Sequence, residues 1–301
     1  MTSSFSSNFY YVENNMKILE EKAAVEGSEN IEEFDETNIY LMSSMDELIS
    51  TLTIFDTNTW REDKKEIKIN NLGKESCVVK LPNFKIFCAS SGSNYKYGLA
   101  CVIDTKNWTY TLLPSKEWYR ETVGAYYKNQ IYVFGGIKDE GSSHSCVPLA
   151  YKFDLLQKQW RAVSSLPIGS DKCSCITFNK KILIVGNQHR HIYSYDVDSD
   201  SYSIITNSDM NIGINNFKLL VSAKKRVYLM QEWGMMYESE ILNEHSWENI
   251  LECWDFYNWW NMYYVVNENM IYIGSNQIFL NNYFQFNLDT KKLKKIELAN
   301  A

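Results

Sequence analysis

The chain has 301 residues, 15% of them aromatic and only 4 of them proline, a composition that favours packed β-strands over disorder or a proline-rich linker. Its formal net charge of −7 excludes the cationic surface that nucleic acids and anionic membranes require. Because no stretch of about 18 consecutive apolar residues occurs and residues 1–15 lack the basic and apolar regions of a secretory signal, we expect a cytoplasmic protein that binds neither nucleic acid nor membrane.

Two features mark the N-terminal segment, residues 1–36. Within residues 8–19, the runs Phe9-Tyr10-Tyr11-Val12 and Met16-Lys17-Ile18-Leu19 are each short enough to form one β-strand. An acidic stretch follows, with Glu20, Glu21, Glu26, Glu29, Glu32, Glu33, Asp35 and Glu36. Repulsion between like charges predicts a solvated loop or a frayed helix here, and a docking segment for a basic partner is the alternative.

A short apolar strand then recurs six times along the chain. Successive copies begin 44 to 51 residues apart, about the length that four short strands and their turns require. Most copies follow a polar turn that is itself preceded by an apolar stretch, which is the signature of a β-hairpin. The copies are Ile39-Tyr40-Leu41, Ile86-Phe87-Cys88, Ile131-Tyr132-Val133-Phe134, Ile182-Leu183-Ile184-Val185, Val227-Tyr228-Leu229 and Ile271-Tyr272-Ile273.

Downstream of this strand, most units carry an apolar or aromatic residue followed by Asp or Asn. The pairs are Phe55-Asp56, Ile103-Asp104, Phe153-Asp154, Tyr195-Asp196 and Phe286-Asn287. A large apolar side chain returns five residues after the first member of the pair in two units, at Trp60 and Trp108, and seven residues after it in three, at Trp160, Tyr202 and Leu293. Since side chains alternate with period two, we interpret the two spacings as hairpins of different length within one repeat design.

The third unit carries a specific set of motifs. Leu113-Pro114, Arg120 and Gly124-Ala125 precede Ile131-Tyr132-Val133-Phe134-Gly135-Gly136, and Phe153-Asp154 and Trp160 follow. In these motifs the chain resembles the kelch repeat family. The resemblance implies an all-β propeller in which each repeat forms one blade of four antiparallel strands.

The six units predict six blades within a domain spanning residues 37–301. A seventh blade stays open, because the sixth unit already contains four candidate strands and residues 8–19 could form half of another blade. Otherwise the resemblance implies that one run within residues 8–19 closes the ring as a terminal strand. We expect the aromatic repeat positions, among them Tyr132, Trp160, Tyr228 and Tyr272, to form the core between blades.

In a four-stranded antiparallel blade, the connections between strands two and three and between successive blades share one face. These connections are the longest in the chain, including residues 137–148, 187–191 and 249–260. Because binding residues concentrate on loops held by a rigid scaffold, we place the candidate site on this face. The partner-binding residues predicted there are Trp118, Tyr119, Arg120, His189, Arg190, His191, Trp233, Trp254, Trp259 and Trp260.

Trp, Tyr and Arg are the side chains that most often anchor interfaces. Residues 253–260 form the densest aromatic run, and they either bind a partner or cap the channel of the propeller. Arg120 also matches a position of the repeat that precedes the first strand, where its role can be structural.

Catalytic and metal chemistry is not predicted. Phosphate-binding Gly-rich loops, Gly-x-Ser-x-Gly and His-Glu-x-x-His motifs are absent from the sequence. Cys173-Ser174-Cys175 with His189 and His191 is the set of side chains closest to a zinc-binding pattern, but two small residues on one face of an inner strand are ordinary core packing. We predict no cofactor and no metal, and reduced, mostly buried cysteines.

The sequence therefore predicts a non-catalytic scaffold that binds a protein or peptide partner on one loop face, acting as a monomer or an oligomer. The alternative is a small-molecule or sugar-processing enzyme, of the oxidase or mutarotase type that the resemblance also includes, acting at the central channel. That alternative requires convergent carboxylates or metal ligands at one channel mouth.

Overall fold

We describe the protein from a computed structural model. It describes residues 34–35, 37–44, 50–69, 77–90, 99–114, 119–140, 143–170, 174–186, 191–205, 217–231, 235–240, 247–252, 261–267, 269–276 and 281–298. Regular structure within these ranges consists of 25 β-strands, arranged as six antiparallel sheets and one additional hairpin.

The first three sheets follow one another along the chain. Blade 1 contains β1 (Asn38–Ser44), β2 (Ser50–Asp56) and β3 (Arg61–Ile67). Blade 2 contains β4 (Cys77–Leu81), β5 (Lys85–Ser90), β6 (Leu99–Asp104) and β7 (Thr109–Leu112). Blade 3 contains β8 (Val123–Tyr127), β9 (Gln130–Phe134), β12 (Ala150–Asp154) and β13 (Gln159–Ala162), with the hairpin β10 (Ile137–Glu140) and β11 (Ser143–Cys146) inserted between its second and third strands.

The last three sheets have four strands each. Blade 4 contains β14 (Ser174–Phe178), β15 (Lys181–Val185), β16 (Tyr193–Asp196) and β17 (Ser201–Ile204). Blade 5 contains β18 (Phe217–Ala223), β19 (Arg226–Gln231), β20 (Met235–Glu240) and β21 (Glu248–Glu252). Blade 6 contains β22 (Asn261–Asn267), β23 (Met270–Asn276), β24 (Asn281–Asn287) and β25 (Lys292–Lys295).

Blades 6 and 1 close the ring. β1 contacts β22 and β23, although more than 200 residues separate them in sequence. Across this junction, Phe55 stacks on Tyr283 with ring centroids 3.9 Å apart, and the Tyr283 hydroxyl donates a hydrogen bond to Glu62 Oε1 at 2.6 Å. Blade 6 thus packs directly on blade 1, and the predicted all-β, six-bladed propeller is confirmed.

The core lies between neighbouring blades. Tyr132 and Phe134 of blade 3 pack against Tyr195 of blade 4, and Tyr228 of blade 5 packs edge-on against Phe286 of blade 6. All five side chains are buried. Burying one large apolar side chain contributes about 1.5–3 kcal/mol, so these repeated aromatic positions hold adjacent sheets together.

In five of the six blades, the Asp or Asn that ends the next-to-last strand caps the turn that follows. Its side-chain oxygen accepts hydrogen bonds from the backbone N–H groups two and three residues later, at 2.7 to 3.4 Å. The fourth residue after it has a positive φ, between 49° and 58°. The five turns built this way begin at Asp56, Asp104, Asp154, Asp196 and Asn287.

The interpretation of the two aromatic spacings as hairpins of different length is wrong, because these five turns are equally long. Trp60 and Trp108 occupy the left-handed fourth position of the turn, with φ of 57° and 58°. Trp160, in contrast, lies in β13 and pairs across the sheet with Phe153. The cross-strand partner of Phe55 is Glu62, so five-residue spacing marks a turn position and seven-residue spacing marks a strand pair.

The turns between first and second strands are also short. In blades 3, 4 and 5 they contain two residues, both with positive φ, which is the type I′ geometry of tight hairpins. Their residues are Lys128-Asn129, Asn179-Lys180 and Lys224-Lys225. We call the side of the ring that carries the first-to-second and third-to-fourth connections the tight-turn face, and the opposite side the long-loop face.

The end of the acidic stretch is buried rather than solvated. Phe34 packs edge-on against Tyr126 in the core between blades 2 and 3. The Asp35 carboxylate accepts hydrogen bonds from the Tyr40 hydroxyl, the Asn38 side chain and two backbone N–H groups. Lys80 Nζ donates a hydrogen bond to the backbone carbonyl oxygen of Asp35 at 2.7 Å. The expectation of a solvated loop is therefore wrong at Asp35, which is buried. Despite burial, the charge of Lys80 and these hydrogen-bond donors hold the pKa of the Asp35 carboxylate below its usual value.

The rest of residues 20–36, and the candidate strands within residues 8–19, lie outside the described residues. The domain boundary at residue 37 stays a prediction.

Candidate functional site on the long-loop face

The described part of the long-loop face centres on Gly135 and Gly136, which follow β9. Both have positive φ, at 64° and 114°. Gly136 leaves no room for a side chain, because a β-carbon there would lie 2.7 Å from Thr122 Cγ2 and 2.8 Å from the Arg120 carbonyl oxygen. The diglycine therefore lets two backbone segments approach closely, as well as turning the chain out of β9.

Arg120 braces the hairpin β10–β11. Its backbone N–H donates to the Ile137 carbonyl at 3.2 Å, and the Ile137 N–H donates to the Arg120 carbonyl at 2.8 Å. The segment that enters blade 3 thus runs antiparallel to the base of the hairpin. The backbone of Arg120 thus has a structural role, and the residue is half-buried. Both the structural and the binding role of its side chain stay predictions.

The connection from blade 3 to blade 4 supports the other side of the hairpin. Gly136 N–H donates to the Ser170 carbonyl at 2.8 Å, and the Val147 N–H donates to the Gly136 carbonyl at 2.9 Å. A side chain at Gly169 would collide with the Cys146 carbonyl. Backbone contacts from both flanking segments therefore fix where the hairpin leaves the blade.

The residues around Arg120 are tightly constrained. Tyr119 is half-buried, whereas Glu121 and Thr122 are buried, and Glu121 adopts a positive φ of 54°. A non-glycine residue in this conformation costs roughly 1–3 kcal/mol, which the surrounding packing must offset. This local strain coincides with the segment that carries two predicted binding residues.

His191 lies on the same face, in blade 4 just before β16. Its ring packs edge-on against Tyr193, with centroids 6.3 Å apart. Nδ1 is buried and has no hydrogen-bond partner among the described residues. Blade 4 thus presents the half-buried His191 at the end of its second-to-third connection.

Three of the ten predicted binding residues, Tyr119, Arg120 and His191, are described. Tyr119 and Arg120 are neighbours on blade 3, and His191 belongs to blade 4. The structure therefore tests neither the composition of the predicted site nor whether its members meet. Trp118, His189, Arg190, Trp233, Trp254, Trp259 and Trp260 lie outside the described residues.

Among the described residues, no group of three or more His, Cys, Asp and Glu side chains could hold a metal ion. Cys77, Cys88 and Cys101 are buried free thiols of blade 2, and burial raises the pKa of Cys77 to about 12. Cys173 lies outside the described residues, and Cys175 is a half-buried residue of β14.

An ionic cluster around the buried Glu238 carboxylate lies on the opposite, tight-turn face. The Glu238 carboxylate is nearly inaccessible and pairs with Arg226 at 2.8 Å and with Lys291 of blade 6. Lys224 pairs with Asp289 at 2.8 Å beside it. These groups tie blade 5 to blade 6, and every charge among them has a partner, as structural ion pairs do.

Sequence reasoning missed the hairpin β10–β11, which it treated as one long loop. The available signal was Asp139-Glu140-Gly141-Ser142, a turn sequence between two short alternating runs. Strands of four residues carry too little periodicity to stand out from a loop. The tight backbone packing around Gly136 was equally hidden, because it depends on segments that are distant along the chain.

The fold defines a class of protein, the six-bladed β-propeller. Residues 121–167, which cover blade 3, match the family model described as the Kelch motif. The chain is thus a six-bladed β-propeller that carries a Kelch motif in its third blade.

No curated protein sequence matches this chain. Among solved structures that resemble it, one titled "Structure of YjhT" aligns with a TM-score of 0.55 and 13% identity, over 67% of this chain and 72% of that chain. At this identity the similarity shows the fold alone. In the described part of the chain, no helix is long and apolar enough to cross a membrane.

Proposed function

We propose that this propeller is a non-catalytic scaffold that binds a protein or peptide partner on its long-loop face. The observation that supports this most is the hairpin β10–β11, a rigidly braced projection beside Tyr119 and Arg120. Rigid elements that carry Tyr, Trp and Arg side chains are suited to anchoring a partner, because little conformational freedom is lost on binding.

The two faces differ in how much chain they present. Tight turns of two to four residues make up most of the described tight-turn face. Phe34 also lies on this face, in the buried cluster that it shares with residues of blades 2 and 3. The connections on the long-loop face are longer and contain most of the tryptophans outside the repeat positions. This asymmetry favours the long-loop face as the surface that recognises a partner.

An alanine variant of Trp118, Arg120 and Trp233 tests the proposal. We expect it to lose partner capture in an affinity pull-down, while its midpoint of thermal unfolding stays within about 3 °C of the unmodified protein. The Arg120 brace uses backbone atoms, so its side chain can be removed without breaking the hairpin base.

The matched control replaces Leu156 and Lys158 with alanine, in the third-to-fourth turn of blade 3 on the tight-turn face. Leu156 is the most exposed of the large apolar side chains described, at 79%. Capture should survive in the control. Loss of capture in the control, or a large loss of stability in the long-loop variant, would count against the proposal.

A further inference from the structure

Two cysteines face each other across the middle of blade 2. Cys88 of β5 and Cys101 of β6 are directly opposed in the antiparallel register of these strands. Opposed residues of an antiparallel pair project from the same side of the sheet, and both side chains lie in the core cluster between blades 1 and 2. The two thiols also hydrogen-bond to each other. The fold thus holds two sulfur atoms in contact, although 12 residues separate them along the chain.

The spacing of the two strands suits a disulfide bond. The Cα atoms of directly opposed residues in an antiparallel pair lie about 4.5–5.5 Å apart, and those of a disulfide lie about 4.4–6.8 Å apart. The bond can therefore form without moving β5 away from β6. Both cysteines are fully buried. A disulfide carries no charge, so it can remain in this apolar core, whereas a thiolate is unfavourable there.

Cys77, the third buried thiol of blade 2, is arranged differently. Its partner on the neighbouring strand is Ala89, and it packs in the cluster between blades 2 and 3. Cys77 and the opposed pair therefore lie on opposite faces of the same sheet. This makes Cys77 a matched buried thiol whose opposed residue is not a cysteine.

We propose that Cys88 and Cys101 are a redox-active dithiol, which a small hydroperoxide oxidises to a disulfide that links β5 to β6. One thiolate attacks the O–O bond of hydrogen peroxide, which gives a sulfenic acid and releases hydroxide. The second thiol then attacks the sulfenic sulfur, which forms the S–S bond and releases water. In total, the two thiols lose two electrons and two protons, and one hydrogen peroxide is reduced to two water molecules.

Burial determines how this pair reacts. Burial raises the pKa of the Cys88 thiol, and contact with Cys101 raises that pKa further. Because little thiolate is present at neutral pH, we expect oxidation to be slower than that of an exposed thiol and to accelerate as the pH rises. Burial also shields the sulfur atoms from a reagent as large as a maleimide, whereas hydrogen peroxide is close to water in size. We expect the adjacent thiol to capture the sulfenic acid before a second peroxide converts it to sulfinic acid.

Peptide mapping of the full chain tests the proposal. The reduced protein is incubated with hydrogen peroxide under native conditions, unfolded in an excess of N-ethylmaleimide and digested without reductant. We expect a disulfide that joins the Cys88 and Cys101 peptides and is lost on treatment with dithiothreitol, with Cys77 recovered as its maleimide adduct. Because the bond closes a loop of 14 residues, it should raise the midpoint of thermal unfolding by about 3–8 °C.

Cys77→Ala is the matched control, and it should form the disulfide as the unmodified chain does. Cys88→Ala and Cys101→Ala should each lose the oxidant-dependent rise in the unfolding midpoint. If an alanine variant fails to fold, mapping of the unmodified chain keeps the test. Three results would overturn the proposal: Cys88 and Cys101 that stay reduced, their conversion to sulfinic acid without a crosslink, or a disulfide between them that forms only in denaturant.

Discussion

At the scale of single residues, Asp154 shows what the recurring Asp contributes. Its carboxylate accepts hydrogen bonds from the Gln157 and Leu156 N–H groups at 2.8 and 2.9 Å. Asn287 makes the same contacts in blade 6, so an amide oxygen can serve as well. We expect Asp154→Ala to lower the free energy of unfolding by about 1 kcal/mol, and Asp154→Asn to retain most of it, as measured by urea denaturation.

The same residue gives a pH dependence. Because the Gln157 and Leu156 N–H groups bind the charged form, the pKa of Asp154 lies below its usual value in the folded protein. The stability that the Asp154 carboxylate contributes to the folded protein is fully present above its pKa in the unfolded chain, about 3.9. This contribution is lost as the pH falls through the lower pKa of Asp154 in the folded protein. The stability of Asp154→Asn relative to the unmodified protein should therefore improve on acidification. A constant difference between about pH 5 and pH 2 would contradict this assignment.

Lys225 tests the backbone geometry of the type I′ turns. It is exposed and has a φ of 63°, a conformation in which a β-carbon is unfavourable. We expect Lys225→Gly to raise the free energy of unfolding by up to about 1 kcal/mol, since glycine adopts positive φ freely. Lys225→Ala keeps the β-carbon and serves as the control. Equal stability of the two variants would argue against a left-handed residue at this position.

Residue patterns predicted side-chain burial better than backbone conformation. The aromatic repeat positions of β9 and β19 lie in the core as expected, because alternation reports which face of a strand is buried. Trp60 and Trp108 were misread because a left-handed turn residue can also direct a large ring onto the sheet. The sequence carries no direct signal of the sign of φ at a tryptophan.

At the scale of elements, Gly136 controls how the β10–β11 hairpin leaves blade 3. A β-carbon at this residue meets Thr122, the Arg120 carbonyl and Tyr119 within 2.8 Å, and φ is 114°. We expect Gly136→Ala to cost at least about 2 kcal/mol of stability and to weaken the Arg120–Ile137 bridge, seen as faster amide exchange at Ile137.

The control for this prediction is Ser145→Ala in β11, an exposed position of the same hairpin. Substitutions at such surface sites usually change stability by less than about 0.5 kcal/mol. If Gly136→Ala changes stability and amide exchange at Ile137 as little as this control, the close approach of the two backbone segments does not determine how the hairpin leaves blade 3. Gly136 belongs to the repeat motif that the sequence shows, whereas its contacts depend on segments on either side of it.

At the scale of the whole molecule, the junction of blades 6 and 1 determines whether the ring closes. The sequence predicted the number of blades because each repeat folds locally into one sheet. It could not show which blades meet, because Tyr283 and Glu62 are 221 residues apart and no local pattern links them.

Tyr283 carries two separable contributions to closure. Tyr283→Phe removes the hydrogen bond to Glu62 and should cost about 1 kcal/mol, whereas Tyr283→Ala also removes the stack on Phe55 and should cost about 3–5 kcal/mol. Tyr110→Phe is the control, because it removes a hydrogen bond from an exposed hydroxyl to the Lys68 carbonyl, at 3.2 Å. Denaturant unfolding measures the loss in free energy of unfolding for each variant. Equal losses for the three variants would show that the junction contributes no more to stability than an exposed site does.

The claim that the long-loop face binds a partner is tested most directly by photo-crosslinking in cells. A photoreactive phenylalanine analogue is placed at residue 118 or 233 on the long-loop face, and at residue 156 or 225 on the tight-turn face. Our account predicts that one and the same partner is crosslinked from residues 118 and 233 and not from residues 156 and 225. Crosslinking of that partner from the tight-turn positions alone would contradict it.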